Sequence, residues 1–122
     1  ELLARVGPDL GPRDAVCVLT HDPKFDVPAV VAALATRAGY IGCMGSRRTH
    51  ADRSRRLVEA GVAEDALSRV MGPIGIDIGA RTPEETAVSI CSEIIALRTG
   101  RAGAHLRDTA GPIHGDGTLD RT

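Results

Sequence analysis

Apolar residues along this chain fall into short continuous runs and longer spaced runs, and the two kinds alternate. Ala15-Val-Cys-Val-Leu19 is continuous, β-branched and preceded by polar Arg13-Asp14, which predicts a strand buried on both faces. From Asp26, read as an N-cap, apolar residues recur at Val27, Val30, Val31, Leu34, Ala35 and Ala38. That spacing is one face of a helix, which Gly39 ends. Tyr40 to Met44 predicts a second buried strand, and Gly45 turns the chain into a helix capped by Ser46. This helix carries Arg47, Arg48, Arg53, Arg55 and Arg56, with Ala51, Leu57 and Val58 as a thin inner face, and it stops at Gly61.

Residues 63–69 predict a short further helix. Val70 to Ala80 holds Gly72, Pro73, Gly75 and Gly79 among isoleucines, the composition of a loop with at most a short strand near Ile74 to Ile78. A stronger start signal follows. Thr82-Pro83-Glu84-Glu85 puts threonine at an N-cap, proline at the first helical position and glutamate at N3, a capping box. Ala87, Val88, Cys91, Ile94 and Ile95 then form the expected buried face up to Arg98, and Gly100 closes the helix. From Arg101 to Thr122 glycine, arginine, aspartate and threonine predominate, which predicts a flexible tail.

Strand, helix, strand, helix, loop, helix is the order of an α/β protein with a parallel sheet flanked by helices. Two clear strands and a doubtful third give too little sheet to cover three helices. The expectation is therefore an incomplete, C-terminal portion of a doubly wound domain. The first residue is Glu1 rather than methionine, which fits either a trimmed chain or a piece of a longer one.

Composition narrows the classes. At 122 residues, with 43% hydrophobic and 25% charged residues, one globular domain is expected. A formal net charge of -1 gives no whole-surface attraction to nucleic acid. An aromatic content of 2% argues against base-stacking platforms. No apolar run is long enough for a bilayer span, and no signal pattern opens the chain. Cys17, Cys43 and Cys91 are far apart and each falls in an apolar segment, so they read as buried small hydrophobes in a reduced, cytoplasmic protein. His50, His105 and His114 lack an i, i+4 histidine partner, which argues against a metal site.

Ligands of open α/β sheets bind outside the carboxyl ends of the strands. Three segments satisfy that condition: Thr20-His21-Asp22, Gly45-Ser46-Arg47-Arg48, and Ile76-Asp77-Ile78-Gly79-Ala80. They are expected on one rim. The second has a mechanism attached, since Gly45 admits a ligand to the backbone, the helix start favours an anion, and Arg47 or Arg48 can add bidentate bonds to phosphate. The alternative is that Ser46 only caps the helix while both arginines face water. His21 and Asp22 fit loop capping better than catalysis. Asp77, between isoleucines, either bonds loop amides or faces the ligand crevice, and the first is favoured. The dinucleotide fingerprint G-x-G-x-x-G is absent from the sequence.

Taken together, Ala15 to Asp22, Tyr40 to Arg48 and Pro73 to Ile90 resemble the C-terminal Rossmann-like domain of the xanthine dehydrogenase accessory protein family (XdhC/CoxI), with the likeness running from about Asp14 to Arg98. The resemblance implies an accessory factor for molybdenum hydroxylases of the xanthine or carbon monoxide dehydrogenase type. Such a factor binds the molybdenum cofactor (molybdopterin) and delivers it to the apoenzyme, with a cysteine desulfurase as a further partner. It acts as a chaperone rather than a turnover catalyst. Carried over by position, the cofactor-binding candidates are Thr20, His21, Asp22, Gly45, Ser46, Arg47, Arg48, Asp77 and Gly79. No catalytic or metal-ligating residue is implied, nor a nucleic-acid or membrane partner. The family's domain ordinarily begins with a strand and glycine-rich turn upstream of this region, so a homodimer or a missing N-terminal half is expected to complete it. The competing reading is a nucleotide- or NAD(P)-binding oxidoreductase domain, with a nucleotide in place of the pterin. A third is an interaction domain that docks a partner through its arginine helix.

Overall fold

Three parallel strands, in the order β1-β2-β3, form the sheet. The computed structural model describes residues 2–20 and 22–114. The first helix, α1 (Leu2–Val6), precedes β1 (Ala15–Val18), α2 (Pro23–Leu34), β2 (Tyr40–Cys43), α3 (Arg47–Glu59), α4 (Glu64–Leu67), β3 (Val70–Met71) and α5 (Pro83–Thr99). Parallel register sets Val16 beside Ile41 and Val18 beside Cys43, and places Ile41 beside Val70 on the other side. The chain divides into two compact units between Ile74 and Gly75.

In the first unit, Val18, Val30, Ala33, Ile41, Cys43, Leu57 and Val70 make one apolar cluster. All four residues of β2 are buried, as expected of a central strand. β1 departs from expectation, since of its four residues only Val18 is buried. It is an edge strand paired to β2 alone among the described residues, so one flank and much of one face stay open. Cys17 is therefore exposed, and so is Cys91, while Cys43 alone is buried. Burial pushes the Cys43 thiol up, and the Arg53 charge offsets part of that shift.

α2 begins four residues earlier than the apolar spacing implies. Its N-cap is Asp22, whose carboxylate accepts from the Lys24 amide at 3.0 Å, with Pro23 at the first helical position. Asp22-Pro23 and Asp26-Val27-Pro28 both carry the cap-then-proline signature, and the chain uses the first. Asp26 becomes a helix-interior residue that is 2% exposed. The helix stops at Leu34, ahead of Gly39. Gly39 serves another purpose, because a methyl group at that position would overlap the Pro12 carbonyl oxygen. Arg69 ties down the same corner by donating to the Leu34 and Ala38 carbonyls at 3.2 and 3.1 Å.

α3 starts at Ser46 as the sequence indicates, and its Oγ accepts from the Thr49 amide at 3.1 Å. Its buried residues are Arg53 and Leu57, whereas Ala51 and Val58 are exposed. The third strand lies at Val70–Met71 rather than near Ile74 to Ile78. There β2 offers a free side for pairing, which the Ile74 amide extends with a 3.1 Å bond to the Cys43 carbonyl.

The second unit is built on α5. The capping box forms as read: Thr82 Oγ1 accepts from the Glu85 amide at 3.1 Å, and the Glu85 carboxylate accepts from the Thr82 and Arg81 amides at 3.2 and 2.8 Å. Gly100 closes the helix in the left-handed region at φ 74°. Its expected apolar face is not buried. Val88, Cys91 and Ile95 are exposed, and Ser89 is the residue most enclosed. Ser89 donates to the Ile76 carbonyl at 2.7 Å and Glu93 accepts from the Gly75 amide at 2.9 Å, so polar bonds hold the preceding loop to the helix. Residues 101–114 are exposed and include a short 3₁₀ turn at Leu106–Asp108, and the remainder of the expected tail, 115–122, lies outside the described residues.

No helix among the described residues is long and apolar enough to cross a membrane. Thr82→Ala removes one half of a reciprocal cap and should cost about 1 kcal/mol, read as a lower midpoint of α5 unfolding in urea.

Candidate functional site

Parallel strands bring their carboxyl ends to the same side, and β1 and β2 stay paired up to that edge, where the Met44 amide donates to the Val18 carbonyl at 2.9 Å. The turns leaving the two strands are therefore neighbours. On the β1 side, Thr20 Oγ1 accepts from the Asp22 amide at 3.2 Å and Asp22 caps α2, so both side chains are used within the chain. His21 lies outside the described residues.

On the β2 side, Gly45 has φ 134°, a conformation that a side chain resists, and a Cβ there would lie 2.9 Å from Thr49 Cγ2. Ser46 Oγ is committed to Thr49, both to its amide and to its hydroxyl at 3.0 Å. The amides of Arg47 and Arg48 open the helix and have no intrahelical acceptor. Both arginine side chains are exposed, and neither is in an ion pair among the described residues. Asp52, one turn on from Arg48, is held by Arg55 and by Arg56 at 3.1 Å. The bond from Arg56, then the charges of Arg55, Arg56 and Arg48, holds the Asp52 carboxyl below its ordinary range. One carboxylate thus serves three arginines, leaving local positive charge at the turn.

Behind the turn lies a group that the spacing of apolar residues did not single out. Arg53 is 2% exposed and donates from Nε to Asp26 Oδ2 at 3.1 Å, while its Nη2 lies 3.0 Å from the same oxygen. Nη2 also donates to the Met44 carbonyl at 2.8 Å. His50 packs against Gly72 so closely that a methyl group there would overlap the imidazole. Burial, then the neighbouring Arg53 charge, holds the His50 pKa below its ordinary value. Asp26 Oδ1, Arg53 Nη1 and His50 Nδ1 are buried without a hydrogen-bond partner among the described residues.

A signal for this group was nonetheless present in the chain. His50, Arg53 and Leu57 share one helical face, as do Asp26, Val30 and Ala33. Each face therefore carries one charge of opposite sign where an apolar residue would ordinarily stand.

Asp77 and Gly79 belong to the second unit. Asp77 is exposed and its side chain makes no hydrogen bond among the described residues, contrary to the expected bonding to loop amides, and Glu93 and Ser89 hold that loop instead. Gly79 has φ 70° with open space around it. Among the described residues no three His, Cys, Asp or Glu side chains cluster as metal ligands.

A parallel α/β sheet, with a glycine turn and a capped helix following its central strand, defines the class as Rossmann-like. The chain belongs to the XdhC Rossmann domain family, whose pattern matches residues 3–94. It is 37% identical over 87 residues to a probable xanthine dehydrogenase subunit of Bacillus subtilis, covering 71% of this chain and 24% of that protein. It is 33% identical over 84 residues to the molybdenum cofactor insertion chaperone PaoD of Escherichia coli K12, covering 69% and 26% respectively. Among solved structures, a xanthine dehydrogenase from Bacillus halodurans superposes with a TM-score of 0.57 at 32% identity, over 76% of this chain and 26% of that one. The chain spans about a quarter of the length of each of these three relatives.

A depressed His50 pKa means that the unfolded chain takes up a proton first. Stability should therefore fall as pH drops below about 6.5, the ordinary imidazole value. The fall should end once the folded imidazole also protonates. His50→Gln should flatten the slope of unfolding free energy between roughly pH 7 and 5 relative to the parent, as measured by urea titrations at each pH.

Proposed function

We propose that this chain is the cofactor-handling part of an accessory factor for molybdenum hydroxylases, binding the molybdenum cofactor and delivering it to an apoenzyme of the xanthine or carbon monoxide dehydrogenase type. The name of the relative PaoD supports the cofactor, and the names of the xanthine dehydrogenase relatives support the recipient class. The observation that carries the reading is the Gly45-Ser46-Arg47-Arg48 turn at the carboxyl end of β2, with two exposed guanidiniums and the uncommitted amides of a helix start.

Those groups fit the phosphate end of the cofactor. The missing Cβ at Gly45 makes room for the Thr49 side chain, which closes the turn, while the Arg47 and Arg48 amides open the helix at the positive end of its dipole and the guanidiniums supply forked donors. Ser46 contributes by holding the first turn in place rather than by giving its hydroxyl to the ligand. Thr20 and Asp22 hold the adjoining turn after β1 through their own local bonds. When bound, the cofactor supplies the molybdenum centre that the recipient enzyme uses. The role of this chain is to bind, orient and release it, with no turnover chemistry of its own and with a cysteine desulfurase as a second partner in maturation.

Arg47→Ala combined with Arg48→Ala in the whole protein should weaken binding of the molybdenum cofactor by more than about tenfold, equivalent to about 1.4 kcal/mol, in a fluorescence titration. Parental affinity in the double variant would remove the phosphate seat from this turn. Mass spectrometry of the natively purified protein should detect a pterin, and a nucleotide in its place would shift the reading to an NAD(P)- or nucleotide-binding domain.

A further inference from the structure

The group behind the turn has no part in the binding scheme so far. We infer that Arg53, neutralised by Asp26, is the positioning residue of the anion site: it clamps the Met44 carbonyl and so fixes the Gly45-Ser46 turn in its receiving conformation. The inference rests on the reading of that turn as a phosphate seat.

Three observations converge on it. First, Arg53 reaches Asp26 and the Met44 carbonyl at once, linking α2, α3 and the end of β2 through one guanidinium. Met44 is the residue before Gly45, so its peptide orientation sets where the turn begins. Second, Nη2 lies 3.6 Å from where a Gly45 Cβ would stand, so the guanidinium backs directly onto the glycine. Third, the pair is 2% exposed and both partners keep a buried atom without a hydrogen-bond partner among the described residues, Asp26 Oδ1 and Arg53 Nη1. A group serving stability alone is better made from apolar side chains, because an isolated buried ion pair gives little net stabilisation.

The division of labour follows from exposure. Arg53 is enclosed and its charge is spent on Asp26, so it adds shape rather than attraction. Arg47 and Arg48 supply the attraction. Lysine at position 53 would keep the charge opposite Asp26, but a single ammonium has no planar fork with which to hold the carboxylate and the carbonyl in fixed directions.

The test separates positioning from folding. In the whole protein, Asp26→Leu combined with Arg53→Met replaces the pair by apolar side chains of similar volume. The melting temperature should stay within a few degrees of the parent while affinity for inorganic pyrophosphate, measured by calorimetry, falls at least tenfold. Arg53→Lys, which keeps the charge balance, should lower that affinity several-fold. It should also raise hydrogen exchange, read by mass spectrometry, in the peptide spanning Met44 to Thr49 while leaving α2 protected. The exchange readout needs no ligand, so it stands even where the apolar pair fails to fold or where the Arg47 and Arg48 variants show that the seat lies elsewhere. Parental exchange in Arg53→Lys, or parental pyrophosphate affinity in a folded apolar pair, overturns the inference.

Discussion

The buried pair between Asp26 and Arg53 is the constraint around which the first unit is arranged. Removing either partner would leave an uncompensated charge in a dry environment, a loss of roughly 3 to 5 kcal/mol. Such a pair therefore fixes α2 against α3 in one register. It also explains a feature of α2 that apolar packing alone does not. The helix is capped by Asp22 and starts at Pro23, which makes Asp26 a helix-interior residue opposite Arg53 rather than a cap. Proline inside a helix removes a backbone bond, and the cap at Asp22 offsets part of that loss.

Charge is distributed around this pair by a simple rule of burial. The enclosed arginine is matched by one carboxylate, and the imidazole beside it is held toward its neutral form. Toward the solvent the balance reverses, since Asp52 is shared among several arginines and Arg47 has no carboxylate bonded to it among the described residues. A sequence carrying a net charge of -1 thus concentrates positive potential at one turn. Bulk charge conceals this patch, and only the location of each side chain reveals it.

What could be read from the sequence was what local chemistry dictates. Ser46 as a cap, the Thr82 to Glu85 box and the closing Gly100 depend on residues within a few positions of one another, the buried β2 announces itself by its continuous apolar run, and each is present. What escaped depends on partners far along the chain. Asp26 looked like a cap because its true partner lies 27 residues away, and Gly39 looked like a helix stop because Pro12 was invisible as a neighbour. β3 is two residues long and carries no periodic signal. On α5 the apolar spacing was real, but Val88 and Ile95 remain open to solvent, so periodicity named a face without naming what covers it. The candidate site was legible to the same degree: the glycine, serine and two arginines in sequence, but neither the bond from Arg53 to the Met44 carbonyl nor the local partners of Thr20 and Asp22.

Exposure of the proposed seat also bears on what kind of binder it makes. Surface ion pairs contribute from nearly nothing to about 1 kcal/mol each and weaken with salt, whereas a buried forked pair of the Asp26 and Arg53 kind dissociates only with unfolding of its surroundings. A domain that retains its cofactor through many turnovers would gain from enclosing the phosphate. A domain that hands its cofactor on gains from the reverse, a rigid floor beneath a solvent-facing mouth. The enclosed part here is Arg53, bonded to the Met44 carbonyl, and the open part is Arg47 and Arg48. In the proposed seat the enclosed Arg53 and the exposed Arg47 and Arg48 divide in that same way, the first bonded within the chain and the other two open to solvent.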